Sequence, residues 1–349
     1  VDFSTPEGRI EQLHEALSDG DGPVLVLVHD YPDPDCLASA LGAKHLLEMW
    51  GFTATIAHGR GLGRPENKAM AGLLNLELAL LDEIDPEAFR GALLLDTQPG
   101  AGNNSLPECV PVRAVVDHHP EKDGGLENVP FVDLRLTTGA TSTIVLEYLD
   151  TAGAEVDARL ATALYLGIKT DTDSLERDAS PADVAAYVRL LPDVDLPTVR
   201  KVNHVPLTEE YFGLLRRAIG NATRQGEALV ANVGAVSQPD LLSAVSDILI
   251  DSKETAWALA LGWNEGRVYL SLRIRPPRKN AGNLMRRTVE GLGSGGGHAL
   301  SAGGQIGLPD GDADAVATAA IGRFLDSVGV TDEAPRPLCP REIPAAESE

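Results

Sequence analysis

Short uninterrupted apolar runs alternate with helical-period stretches along the first half of the chain. That alternation is what a parallel sheet covered by crossover helices requires. Residues 8–19 read as a helix, punctuated by Gly22-Pro23, and 24–28 as a buried strand. A helix follows over 38–50 with Gly51 as its C-cap, then a strand over 53–57. Two more buried strands fit 92–95, ending at Asp96, and 113–116, ending at Asp117. Helical patterns cover 142–151 and 157–168, the second opening on Asp157, a residue suited to cap it. The fold class expected is α/β, with an N-terminal doubly wound parallel sheet. A helical stretch near 196–219 reads as a connector. Beyond it, strands at 228–233, 256–262 and 268–274 with helices at 238–247 and 281–290 predict a smaller α/β domain. The expected organisation is a first domain over 1–195, a connector over 196–222, a second domain over 223–330 and a flexible Pro-, Glu- and Ala-rich tail over 331–349.

Composition agrees with two domains: 349 residues exceed one average domain, and 43% hydrophobic residues suffice for real cores. The net charge of -23 sets a bound on partners, because such a surface repels long duplex DNA and anionic membrane. Any nucleic-acid contact then needs a locally basic or metal-loaded groove. The same acidity also fits a solubilising or salt-adapted surface. Three scattered cysteines, Cys36, Cys109 and Cys339, form neither a disulfide framework nor a CxxC knuckle, which suits a reducing cytoplasm. The first residues show no signal pattern, and the apolar runs are too short to span a bilayer.

Acidic and imidazole side chains fall mostly at the carboxyl ends of the expected strands, the edge where open parallel sheets bind ligands. The first strand runs into His29-Asp30-Tyr31-Pro32-Asp33-Pro34-Asp35. That turn offers one nitrogen and two carboxylates, stiffened by two prolines. It reads equally as an acidic loop whose Asp35 caps the next helix. Asp96 alone would pass for a turn residue. Asp117-His118-His119 adds two imidazoles that can face different ways, and Asp171 and Asp173 close a helix. Four such pieces on one edge point to a mixed His and Asp site suited to manganese-like divalent ions.

The set His29-x-x-x-Asp33-x-Asp35, Asp96, Asp117-His118-His119 and Asp171 resembles the DHH phosphoesterase superfamily, named for its third motif. An independent match lies in the second domain. Gly295-Gly296-Gly297-His298 followed by Ala302-Gly303-Gly304 resembles the glycine-rich signature of the DHH-associated C-terminal domain, and Ser271-Leu272-Arg273 resembles the strand that precedes it. The likeness covers roughly residues 20–310. Within the superfamily the glycine-rich domain is shared by RecJ-like exonucleases, the nanoRNase/pAp-phosphatase group and cyclic-di-AMP phosphodiesterases, whereas family II pyrophosphatases carry a different C-terminal domain. A compact two-domain chain, without RecJ's further nucleic-acid-binding domains or the membrane and sensor segments of the large cyclic-di-AMP enzymes, is most similar to the nanoRNase (oligoribonuclease)/pAp-phosphatase group. Pro34 stands where a small residue is common, Cys36 where Ala is frequent, and Asp173 is a second candidate beside Asp171. Cys36 itself reads as a packed helix-start residue.

The resemblance implies a metal-dependent hydrolase with two divalent ions, Mn2+ first, with Mg2+ or Co2+ as substitutes. His29, Asp33 and Asp96 would hold one ion, and Asp35, Asp96, His118 and Asp171 the other, with Asp96 bridging. Two such ions activate a water for in-line displacement at phosphorus. Asp117 would orient its histidine neighbours, and His119 would contact the phosphate or assist the leaving oxygen. Arg273, Gly295, Gly296, Gly297 and His298 would bind substrate across an interdomain cleft, helped by Arg275, Arg278, Lys279, Arg286 and Arg287. The expected substrates are short oligonucleotides or 3'-phosphoadenosine 5'-phosphate (pAp), with a homodimer compatible with that role. The alternatives are a cyclic or linear dinucleotide phosphodiesterase, a RecJ-like single-strand exonuclease, an inorganic pyrophosphatase or polyphosphatase, and a catalytically inactive nucleotide-binding module.

Overall fold

A computed structural model describes residues 5–121, 125–275, 280–297, 299–308, 311–330 and 332–339. The chain divides into two compact units, Val1–Pro206 and Leu207–Glu349. The architecture is α/β, with one sheet in each unit.

The first unit contains strands β1 (Val24–Leu27), β2 (Ala54–His58), β3 (Leu78–Leu80), β4 (Gly91–Leu95), β5 (Val112–Asp117) and β6 (Phe131–Leu134). Its helices are α1 (Pro6–Ser18), α2 (Pro34–Met49), α3 (Pro65–Leu73), α4 (Thr141–Ala152), α5 (Ala158–Asp171), α6 (Pro181–Leu190) and α7 (Leu196–Asn203). The six strands pair in the order β3-β2-β1-β4-β5-β6, all parallel. Central strands β1 and β4 are buried along their whole length, which is why they read as apolar runs without alternation. One face of the sheet packs on Leu13 and Leu17 of α1, Leu37, Leu41 and Leu46 of α2, Val145 and Leu149 of α4, and Leu164 of α5. The other face, Leu25, Leu27, Ala92, Leu94 and Val115, is covered by residues of the connections, among them Leu81, Val110 and Leu126.

Helix α2 is buried on nearly every side because it lies between the sheet and helices α4 and α5. Small residues permit that approach. A Cβ on Gly167 of α5 would stand 2.3 Å from Ser142 Oγ and 3.1 Å from Asp35 Oδ1. The close crossing brings the start of α2, the start of α4 and the end of α5 to one place. Asp157 does cap α5, its side chain accepting from the Leu160 amide.

The second unit contains α8 (Glu209–Asn221), β7 (Thr223–Gln225), β8 (Ala228–Ala235), α9 (Leu241–Ile250), β9 (Trp257–Asn264), β10 (Arg267–Ile274), α10 (Ala281–Val289), β11 (Gly293–Gly297), β12 (Ser301–Gly307), α11 (Ala313–Val328) and β13 (Arg336–Pro337). The sheet order is β11-β12-β10-β9-β8-β7-β13, antiparallel except for the β8–β9 pair. One face packs on α10 and α11 through Leu284, Met285 and Phe324. The other packs on α8 and α9 through Leu214, Leu242 and Val245.

Three details of the sequence reading change. The stretch read as one connector holds two helices, with α7 in the first unit and α8 in the second. The segment expected to be a flexible tail contributes β13, which pairs with β7, while residues 331 and 340–349 lie outside the described residues. Gly295, Gly296 and Gly297 lie in strand β11, opposite Gly304, Gly303 and Ala302. A Cβ on Gly295 would come within 2.9 Å of Met285 Cγ, and one on Gly304 within 2.6 Å of Met285 Sδ, so these two glycines let α10 sit against the β11–β12 pair.

Candidate metal centre

Three neighbouring strands deliver the polar residues to one edge. β1 leads through Val28 to His29, β4 leads directly to Asp96, and β5 ends on Asp117 and leads to His118 and His119. In this strand order the chain leaves β1 toward β2 and leaves β4 toward β5, so the carboxyl ends of β1 and β4 flank the switch point where open α/β sheets form a ligand crevice.

Helix termini supply the rest. Asp33 is the N-cap of α2, its Oδ1 accepting from the amides of Asp35 and Cys36 at 3.0 Å each. Its Oδ2 faces His29 Nε2 at 3.8 Å. Asp35, fully buried in the first turn of α2, accepts from the amides of Thr141 at 2.6 Å and Ser142 at 2.8 Å. It thereby caps α4, whose own N-cap residue, Ala140, has no side chain able to do so. Asp171 is the last residue of α5. Asp173, the alternative to Asp171, is exposed and stands outside every group of clustered ligand atoms among the described residues.

Asp96 sits at the centre. Its Oδ2 lies 4.0 Å from His29 Nε2 and accepts the Cys36 thiol at 3.3 Å. Its Oδ1 lies 3.3 Å from His118 Nε2 and accepts the Thr141 hydroxyl at 3.0 Å. His118 Nε2 is also 3.1 Å from Asp171 Oδ2. Among the described residues three overlapping sets of ligand atoms result, each within 4.8 Å mutually: His29, Asp33, Cys36 and Asp96 on one side, Asp35, His118 and Asp171 on the other, and Asp96, Asp117, His118 and His119 between them. The Asp96 backbone is in the left-handed region at φ 56°, which costs a non-glycine residue roughly 1–3 kcal/mol. Its amide still bonds Val116 O, so the strand ends and the chain reverses within one residue.

The two histidines are held by different groups. Asp117 Oδ1 accepts from His119 Nδ1 at 2.8 Å and from the His119 amide at 3.0 Å, so it orients His119. His118 is oriented instead by the Thr138 carbonyl, 3.1 Å from its Nδ1. Gln98, buried, donates to Asp117 Oδ2 at 2.9 Å and to Pro120 O at 3.2 Å, which fixes the carboxylate that holds His119.

The sequence reading missed a support that lies outside every motif. Residues 138–142 touch three of the clustered groups, through Thr138 O on His118, Thr141 on Asp96, and the Thr141 and Ser142 amides on Asp35. One buried carboxylate, Asp183, holds that segment from both sides. It accepts from the Gly139 amide at 2.7 Å and from the Thr143 hydroxyl at 2.6 Å. The Ser180-Pro181-Ala182-Asp183 spacing marks the start of α6 as a capping box, but nothing local reveals its bond to residue 139.

Charge is the reason to assign a cation to this site. Burial pushes the Asp35 carboxyl well up, and the neighbouring Asp96, Asp171 and Asp33 push it further. Burial also raises Asp171, and Asp33 and Asp96 add to this against the pull of His118. Burial alone would lower His29, but the Asp33 hydrogen bond and the charges of Asp33, Asp96 and Asp30 raise it to about 9. His118 and His119 are raised likewise, against burial, by Asp171 with Asp96 and by Asp117. The protein without ions therefore stores protons where carboxylates crowd together. Nitrogen and oxygen donors in this mixture fit divalent ions of the manganese and magnesium type.

In the second unit, Arg273 lies near the end of β10, opposite Ser301, on the edge where β11 turns into β12. Its Nε donates to Asp247 Oδ1 of α9 at 2.6 Å. His298, Arg278 and Lys279 lie outside the described residues.

A parallel sheet whose strand ends share an aspartate between two His and Asp groups, followed by a mixed-sheet domain, is the architecture of the DHH family, whose members are metal-dependent phosphoesterases. The chain belongs to the DHH superfamily: its residues 23–168 match the DHH family N-terminal domain, and residues 225–324 match the DHHA1 domain. It is 30% identical over 302 residues to an uncharacterised protein of Methanocaldococcus jannaschii, covering 86% of this chain but 61% of the relative's length. In fold it is similar to an exopolyphosphatase-related protein from Bacteroides fragilis, with TM-score 0.71 and 15% identity over 92% of this chain and 96% of that one. It is also similar to RecJ from Thermus thermophilus in complex with Mn2+, with TM-score 0.50 and 14% identity over 96% of this chain and 56% of that one.

Two outcomes follow for metal binding. An incoming divalent ion must displace the proton that His29 holds up to about pH 9. Mn2+ affinity therefore rises as pH increases from 6 toward about 9, with proton release seen by calorimetry in buffers of different ionisation enthalpy. A pH-independent affinity would contradict this proton inventory. Asp183→Asn lowers Mn2+ affinity about 10–100-fold, as loss of a ligand-orienting bond does, while circular dichroism reports a folded chain. Wild-type affinity in that variant removes the Asp183 support.

Proposed function

We propose that this protein hydrolyses phosphate esters of short nucleotides with two divalent ions, Mn2+ being the natural choice. The single observation that carries the proposal is the division of the Asp96 carboxylate, one oxygen to the His29 side and one to the His118 side. In this reading His29, Asp33 and Asp96 hold the first ion, and Asp35, Asp96, His118 and Asp171 the second. Two divalent ions held there would supply a water activated at neutral pH and would stabilise both the attacking and the leaving oxygens of an in-line displacement.

The chain's own residues do the remainder. Asp117, held by Gln98, keeps a proton on His119 Nδ1 and sets the ring plane. His119 then hydrogen-bonds the phosphate or protonates the leaving oxygen from Nε2. Arg273 provides a planar fork for a phosphate oxygen pair, with its orientation fixed by Asp247. His298 and the backbone of Gly295, Gly296 and Gly297 complete the substrate contacts in this proposal.

The preferred substrates are pAp and oligoribonucleotides of a few residues. A chain of net charge -23 repels a long polyanion, and only the part of a substrate that reaches the metals and Arg273 gains attraction. Among the described residues no helix is long and apolar enough to cross a membrane. Free Cys36, Cys109 and Cys339 support a reducing, cytoplasmic setting for the activity. In manganese at fixed salt, kcat/KM falls as oligonucleotides lengthen, with pAp or the shortest oligomers turned over best. Rates that climb with length, with processive degradation of long single strands, would move the protein to RecJ-like exonuclease action.

A further inference from the structure

Among the described residues, Cys36 is the one sulfur in the groups of clustered ligand atoms. It follows directly on the Asp33-Pro34-Asp35 turn, in the first turn of α2, and is fully buried. Its Sγ lies 3.3 Å from Asp96 Oδ2, the same oxygen that faces His29. Sγ, His29 Nε2 and one oxygen each of Asp33 and Asp96 all fall within 4.8 Å of one another. The separations are 3.3 Å from Sγ to Asp96, 3.8 Å from His29 to Asp33 and 4.0 Å from His29 to Asp96. Four ligands at bond lengths of 2.0–2.3 Å around a tetrahedral ion stand about 3.3–3.8 Å apart, so these contacts already lie near the edges of such a polyhedron.

We propose that Cys36 is a sulfur ligand of the ion held by His29, Asp33 and Asp96, and that it biases this position toward thiophilic divalent cations such as zinc and cobalt. The inference rests on the metal-centre reading above and adds a donor to it. In the protein without ions the Cys36 S–H donates to Asp96. On ion binding the S–H bond breaks heterolytically, the proton passes to solvent, and the sulfur lone pair forms the bond to the metal. No oxidation accompanies the step. The second position, formed by Asp35, His118, Asp171 and Asp96, has no sulfur and keeps the nitrogen and oxygen chemistry that suits manganese and magnesium. The two positions of the centre then differ in metal preference, and the difference is set by one side chain.

The test uses the full chain carrying Cys109→Ser and Cys339→Ser, so that Cys36 is the only thiol. Titration with Co2+ gives a sulfur-to-cobalt charge-transfer band in the near ultraviolet that saturates at one ion per chain. The band disappears in the further variant Cys36→Ser. Competition shows the preference for Zn2+ over Mn2+ at that position falling about tenfold or more in Cys36→Ser. Cadmium-113 resonance, which moves far downfield with a sulfur ligand, gives the same answer without any substitution at Cys36. Visible cobalt d–d bands with no sulfur band would overturn the Cys36 assignment and leave the His and Asp centre standing. Failure of the chain to take up any Co2+ would overturn both.

Discussion

The structure depends on one carboxylate placed between two groups that would otherwise repel it and each other. Asp96 ends β4 at the switch point of the sheet, in a left-handed backbone conformation, with an oxygen turned to each side. Its neighbours include four more buried or half-buried carboxylates: Asp33, Asp35, Asp117 and Asp171. So many negative groups at one strand edge are tolerable only if each has a donor, a proton or a cation. Helix starts give part of the answer, since the α2 amides meet Asp33 and the α4 amides meet Asp35. Imidazoles supply part of the remainder, and in the proposed reading divalent ions complete it.

That arrangement explains why helices unrelated in sequence position must pack so closely. The ligand from α5 and the caps from α2 and α4 converge only because small residues let these helices cross near the sheet edge. Asp183 then ties the start of α4 to α6 through residues 139 and 143. The site is thus built on helix termini and strand ends, whose positions are fixed by the core beneath them.

Much of this was legible in the sequence, for a physical reason. A strand buried on both faces is an apolar run, and a polar residue directly after it must lie at the sheet edge; that logic located His29, Asp96 and Asp117 together. The short edge strand β3, the glycine-rich strand β11 and helix α6 were not legible, because their stability comes from neighbours rather than from their own pattern. Thr138, Thr141, Gln98 and Asp183 were invisible for a similar reason. Each acts through a bond to a group far away in the chain, such as Thr141 to Asp35, and Thr, Gln and Asp carry no signature of such a partner. The glycines of β11 show the converse, since a composition read for phosphate binding also has a packing cause beneath α10.

The claim on which the rest turns is that Asp96 serves two ions at once. Anomalous diffraction from crystals grown with Mn2+ tests it directly. The account requires two peaks about 3.5–4 Å apart, with His29 and Asp33 beside one, His118 and Asp171 beside the other, and the Asp96 carboxylate between them. A single peak, or a pair that Asp96 does not bridge, would contradict it.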